Sequence, residues 1–293
     1  MIVDAHTHRY PNEVISDPLS FGLKYNEKHW LELMEPQNQK RLQGWVSRES
    51  MIEDMDMAGV NQSALLGWYW ENQETCLLHN DWCAEWISTD PERFIGFVSL
   101  HPEFQNPVEQ LERYKDLGFV GIGECHPWLQ GTSIQNANWI KGMEFAAENG
   151  WPVTFHVTEP VGHNYPGRVP TPFEDFLWLA REIPELKIIL AHVGGLFPFY
   201  EINPKVRPEL KNVYYDLAAS TLLYDNTIYR KLIEVVGAEK IIWGTDYPLR
   251  ILPATQKKPD FISFKKLILE EAKLTEQESA AIFGENFLSL LPC

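Results

Sequence analysis

The sequence predicts an α/β chain folded as one (β/α)8 TIM barrel, a single domain over residues 1–293 with an insertion after strand 1. Three observations carry this. Eight short apolar, β-branched runs recur along the chain, and amphipathic stretches with helical spacing separate most of them. That alternation argues for βαβ units and a parallel sheet. The length of 293 residues then fits eight units in a closed barrel, which typically needs about 250 residues. An open doubly wound sheet is the alternative.

The runs cover residues 2–6, 60–66, 94–100, 119–124, 152–156, 187–192, 213–217 and 240–246. Helical patterns fall at 48–58, 72–88, 107–117, 138–149, 172–183 and 226–236. Gly59, Gly118, Gly150 and Gly237 each stand between a helical pattern and the next strand, where a left-handed helix cap wants glycine. Pro107 and Pro172 stand at helix starts, where proline's missing N–H costs nothing. The stretch 275–290 is expected to close the outer layer. Residues 11–47 are irregular and follow the first strand, so they are expected to form a lid-like insertion over the active-site face.

Composition narrows the function classes. The chain is 44% hydrophobic and 13% aromatic, enough for a large core and against disorder. A net charge of −16, with no Lys/Arg run, disfavours nucleic acid. No stretch approaches the ~18 apolar residues of a membrane span. Cys76, Cys83, Cys125 and Cys293 form no CxxC pair. With no basic segment followed by an apolar one at the N-terminus, the expected compartment is the reducing cytoplasm. A small-molecule substrate is the expected partner. A homodimer is open, with the tryptophans as candidate anchors.

The histidines carry the chemistry. His6 and His8 form an HxH at the end of the first run, and residues i and i+2 of a strand share a face. His156, His192 and Asp246 end the fifth, sixth and eighth runs. Catalytic residues of barrel enzymes come from such strand ends. Five candidate ligands therefore converge on one face. Imidazoles with a carboxylate suit zinc and leave a position for water. Asp246 is expected to carry the proton of that water and His192 to orient it. Asp4, two residues before His6, is expected either to orient an imidazole or to form a salt bridge in the barrel floor.

The segments MIVDAHTH, TFHVTEP, LAHVGG and IIWGTDYP resemble the amidohydrolase superfamily. They are similar to the branch containing aminocarboxymuconate-semialdehyde decarboxylase and related metal-dependent hydrolases. The closing AAIFGENFLSLL resembles that branch's final helix. The resemblance implies a barrel holding a divalent metal, most often zinc, as one ion or two. It places His6, His8, His156 and Asp246 at ligand positions. His192 matches a position that polarises water or binds a second metal. Many relatives carry a carboxylated lysine after strand four, whereas this chain has GIGECHPW, so Glu124 becomes a candidate metal ligand.

Arg9, Arg168 and Arg250 follow strand ends and are candidate substrate-binding residues, since arginine binds carboxylates bidentately. Trp68, Tyr69 and Trp70 follow the second run as candidate pocket walls, Trp70 among the substrate contacts. His101, His126, Glu159 and His163 are further polar candidates. The expected function is metal-dependent hydrolysis of an amide, lactone or related carbonyl bond in a small carboxylated substrate. Non-oxidative decarboxylation at the same site is the alternative. A non-catalytic, metal-stabilised binding protein ranks third, because no cysteine takes a ligand position.

Overall fold

A computed structural model describes residues 1–36 and 41–292. Eight parallel strands run in the order β1 to β8: Val3–Thr7, Gln62–Leu65, Phe94–Val98, Phe119–Cys125, Pro152–Phe155, Lys187–Leu190, Val213–Asp216 and Ile241–Ile242. The ladder closes between last and first. Ala5 donates its N–H to the Trp243 carbonyl, Asp246 to His6 and His8 to Tyr247, at 3.0, 2.8 and 2.7 Å. The closed barrel predicted from the alternating pattern is therefore present, and the open sheet is not. The eighth run differs, since only Ile241 and Ile242 form a regular ladder. The rest of that run is held to β1 by the separate backbone hydrogen bonds just named and delivers Asp246 to the rim.

The helices are α1 Asn12–Ser16, α2 Pro18–Lys24, α3 Lys28–Met34, α4 Arg48–Ala58, α5 Gln73–Thr89, α6 Pro107–Asp116, α7 Ala137–Glu148, α8 Phe173–Glu182, α9 Ser220–Leu223, α10 Ile228–Val236, α11 Ile262–Ala272, α12 Glu276–Ala280 and α13 Asn286–Leu290. All six expected helices are found, shifted at most two residues at either end. Helix α4 shows why its boundaries were readable. Ser47 accepts the Ser50 N–H at 3.2 Å, and Gly59 ends the helix at φ 68°.

The C-terminal stretch behaves differently from expectation. The helix closing the outer ring is α11, whose Lys265 reaches the Ala58 carbonyl of α4 while its body packs on α10. The terminal helix α13 instead seals the barrel floor. Phe287 and Leu290 cluster with Val3, Ala5, Ala64, Leu66, Ile95, Phe97, Ile189 and Ile242. The Phe287 ring stacks on Phe97 at 5.9 Å. Lys187, at the start of β6, donates to the Leu290 carbonyl at 2.7 Å, which fixes α13 at the end opposite the histidines. Among the described residues no helix is long and apolar enough to cross a membrane.

A phenylalanine buried in a floor cluster has no room to be replaced without leaving a cavity. Phe287→Ala should cost about 3–5 kcal/mol in chemical denaturation. It should leave metal content unchanged, because the floor lies away from the site. A loss below about 1 kcal/mol would show that the floor is not sealed by this ring.

Candidate active site

The upper rim gathers six titratable side chains. His6 and His8 project from β1 with rings 5.2 Å apart. Glu124 comes from β4, His156 follows β5, His192 follows β6 and Asp246 follows β8. The Nε2 atoms of His6 and His8 each lie 3.7 Å from Glu124 Oε2, and 3.9 and 3.4 Å from Asp246 Oδ1. Both Nε2 atoms are buried without a hydrogen-bond partner. Donors spaced at about 3.4 Å are what a tetrahedral centre with bonds of about 2.1 Å requires. The orphaned nitrogens and the spacing fit a divalent cation at this point.

The other ring nitrogens explain the aim. His6 Nδ1–H donates to Asp216 Oδ2 at 2.8 Å, and His8 Nδ1–H to the Leu66 carbonyl at 3.2 Å. With hydrogens committed at Nδ1, Nε2 is the ring atom each imidazole has left to offer a cation, once any proton on it is released. Asp216 also accepts the backbone N–H of His192 and of Ala218 on Oδ1, at 2.9 and 3.0 Å. Sequence reasoning missed Asp216. A related signal marked it, since it stands one residue before the end of the seventh run and is the last residue of β7. Asp4 takes neither expected role. Its Oδ1 accepts the backbone N–H of His6 and Thr245, and burial raises its pKa to about 7.

A second group is closed up on itself. His156 Nδ1 lies 2.8 Å from Glu124 Oε1, while His192 Nε2 lies 3.2 Å from that oxygen and 3.0 Å from His156 Nδ1. These spacings suit hydrogen bonds and also neighbouring donors of a five- or six-coordinate cation, and the nitrogens left without partners are His6 and His8 Nε2, beside Glu124 and Asp246. His192 and Asp246 have φ of 60° and 65°, a left-handed conformation that costs a residue with a Cβ about 1–2 kcal/mol. Left-handed backbone continues from His192 through Val193, Gly194, Gly195 and Leu196. That turn points the imidazole back over the barrel.

Charge is balanced inside this group. Burial opposes a charged His6, but the carboxylates of Asp216 and Glu124 outweigh it and hold its pKa well above the ordinary value. Burial also opposes a charged His192, yet Glu124 and Asp246 raise it to about 9. Burial pushes Glu124 up, and His156 and His6 more than reverse that, leaving it well below the carboxylate range.

A cavity of about 300 Å³ opens above these groups, walled by Trp68, Tyr69, Leu33, Met34, Leu222 and Leu249 among others. The insertion contributes Glu32, Leu33, Met34, Pro36, Leu42 and Gln43 to that wall. The four proposed substrate contacts are not on it. Strand alternation turns Arg9 outward, where Nη2 meets Glu85 at 3.2 Å and the guanidinium covers the Trp86 ring. Trp70 is buried in the outer core and donates Nε1–H to His79 at 3.0 Å. Arg168 donates to the Glu159 carbonyl at 2.6 Å, and Arg250 clips the Arg41 carbonyl. Glu159 and His163 line the cavity; His101 and His126 do not.

A family model described as Amidohydrolase matches residues 3–292, and the chain belongs to that family. The chain is 26% identical over 272 residues to 2-amino-3-carboxymuconate-6-semialdehyde decarboxylase of Dictyostelium discoideum, across 82% of this chain and 73% of that one. It is 26% identical over 225 residues to gamma-resorcylate decarboxylase of Polaromonas sp., across 60% of this chain and 66% of that one. The 5-carboxyvanillate decarboxylase of Sphingomonas paucimobilis superposes with a TM-score of 0.74 at 16% identity, covering 99% and 98% of the two chains. A dihydroxybenzoic acid decarboxylase of Polaromonas sp. JS666, with manganese and 2-nitroresorcinol bound, gives 0.66 at 19% identity, covering 99% and 96%. The chain is thus an enzyme of the amidohydrolase superfamily, a metal-dependent class. The relatives also correct the expected chemistry. Both sequence relatives are decarboxylases, so the hydrolase reading gives way to the alternative at the same residues.

Two outcomes follow from the geometry. In Asp216→Asn an amide N–H₂ facing His6 Nδ1 shifts the ring hydrogen to Nε2. Metal affinity in a chelator competition should then fall about 10–100-fold, and an unchanged affinity would remove Asp216 from the site. Protons and metal also compete. With His6 and His192 held above the ordinary imidazole value, the metal-free site is protonated at neutral pH. Loading should release protons, and affinity should rise with pH, as seen by calorimetry in buffers of different ionisation enthalpy. A pH-independent affinity would contradict this charge balance.

Proposed function

We propose that the protein is a metal-dependent, non-oxidative decarboxylase of a small aromatic or unsaturated carboxylic acid. One observation carries this reading. The partnerless Nε2 atoms of His6 and His8 meet two buried carboxylates at the end of a largely apolar, aromatic-walled cavity. Relatives that release carbon dioxide support it.

His6, His8, Glu124 and Asp246 would hold the cation, with His156 as a fifth ligand beside Glu124. Zinc suits these donors, and manganese, bound in two of the similar structures, accepts the same set. When bound, the cation supplies Lewis-acid polarisation of substrate oxygens. The chain's own groups handle the proton. In decarboxylation the bond from the ring carbon to the carboxylate breaks, carbon dioxide leaves, and that carbon takes a proton. His192 is placed to hold this proton. Its Nδ1–H is committed to the Ala218 carbonyl at 3.0 Å, so the exchangeable proton sits on Nε2. Asp246, on the cavity wall, is the other group able to carry it. The described part of the insertion, residues 11–36 and 41–47, acts as the lid of a single domain, shielding the proton transfer from water. Cys76, Cys83 and Cys125 are free, buried thiols, which supports a reducing, cytoplasmic setting.

The test is carbon dioxide release from the metal-loaded protein with 2,6-dihydroxybenzoate and 2,3-dihydroxybenzoate. The reading expects one carbon dioxide per substrate consumed. Substrate loss without it, or inertness toward both acids alongside lactone turnover, would defeat the reading. Asp246→Asn should keep the fold and lower turnover about 10²–10⁴-fold. Turnover near that of the parent would show that Asp246 neither binds metal nor moves protons.

A further inference from the structure

The cavity holds a buried carboxylate that the reaction does not use. Glu159 stands four residues beyond the end of β5, is only 6% exposed and lines the cavity with His163 and Tyr165. Its Oε2 is buried with no hydrogen-bond partner. The nearby cation does not pair with it, since Arg168 donates to the Glu159 backbone carbonyl at 2.6 Å instead.

The surrounding chain keeps this side chain in place. A Cβ on Gly195 would lie 3.2 Å from Glu159 N and Cα, so the left-handed turn after β6 presses directly on its backbone. Thr158 donates its N–H to Thr171 Oγ1 at 3.0 Å, and Thr171 returns an N–H to the Thr158 carbonyl at 3.1 Å. A side chain on Gly162 would collide with the Glu159 carboxylate, so glycine there leaves it room. A buried carboxylate oxygen without a donor is costly unless a ligand supplies one. Glu32 adds a second acidic group to the wall, and among the described residues no lysine or arginine lines the cavity.

We propose that Glu159 is a specificity-determining residue. It accepts a hydrogen bond from a hydroxyl or amino group of a monocarboxylate substrate and turns away dicarboxylates. The inference rests on the decarboxylase reading and refines its substrate class. The substrate's single carboxylate goes to the cation end, and a hydrogen-bond donor elsewhere on the substrate satisfies Glu159. A second carboxylate there would face a like charge without a counter-ion.

The experiment is calorimetric binding to metal-loaded protein of salicylates bearing hydroxyl, amino or carboxylate groups at ring positions 3, 4 and 5. At one or more positions, hydroxyl or amino should bind about tenfold or more tighter than carboxylate, the scale of a lost hydrogen bond or a like-charge contact. Glu159→Gln should narrow that gap chiefly by improving the dicarboxylate, with metal content and melting temperature unchanged. Dicarboxylates binding as well as their hydroxyl counterparts, or an order untouched by Glu159→Gln, would overturn the proposal and leave the decarboxylase reading standing. If no salicylate binds at all, the decarboxylase reading falls and takes this inference with it.

Discussion

The two carboxylates of Glu124 and Asp246 face the same pair of imidazoles from opposite sides of the barrel. That arrangement is the constraint on which the site depends. Buried like charges are costly, and only positive charge between them makes the arrangement stable. In the metal-free chain, protons on His6 and His192 provide it. A divalent cation bound where the two Nε2 atoms meet would supply the same charge.

Asp216 makes this possible mechanically. One oxygen fixes the His6 ring on β1, and the other holds the backbone N–H of His192 after β6. A single carboxylate at the end of β7 thus ties three strand ends into one geometry. The left-handed turn from His192 to Leu196 depends on that hold, and Gly194 and Gly195 allow it. The floor is built by other means: Phe287 and Leu290 close the far end with apolar packing, and Lys187 ties down the Leu290 carbonyl. The candidate metal ligands gather at the rim.

Much of this was legible in the sequence because strand and helix periodicities are local. The eight runs and six helices were readable from apolar spacing, glycine and proline. The candidate ligands were readable because a barrel sends strand-end residues to one face. Arg9, Arg168, Arg250 and Trp70 show where that logic stops. Nearness to a motif along the chain says nothing about which way a side chain turns, and each of these found a protein partner instead of standing on the cavity wall. Asp216 was overlooked because VYYDL reads as an ordinary alternating strand until His6 is seen beside it. Helices α1 to α3 were unreadable because each is seven residues or fewer, too short for a clear period. Hydrolysis and decarboxylation share their ligands, so the motifs could not choose between them. The relatives point to carboxylate loss.

The most direct test of the central claim is anomalous X-ray diffraction from crystals of the metal-loaded protein, collected on both sides of the metal absorption edge. The account predicts one strong peak within bonding distance of His6 Nε2, His8 Nε2, Glu124 and Asp246. A peak elsewhere, or none at this point in a protein shown to be loaded, would contradict it.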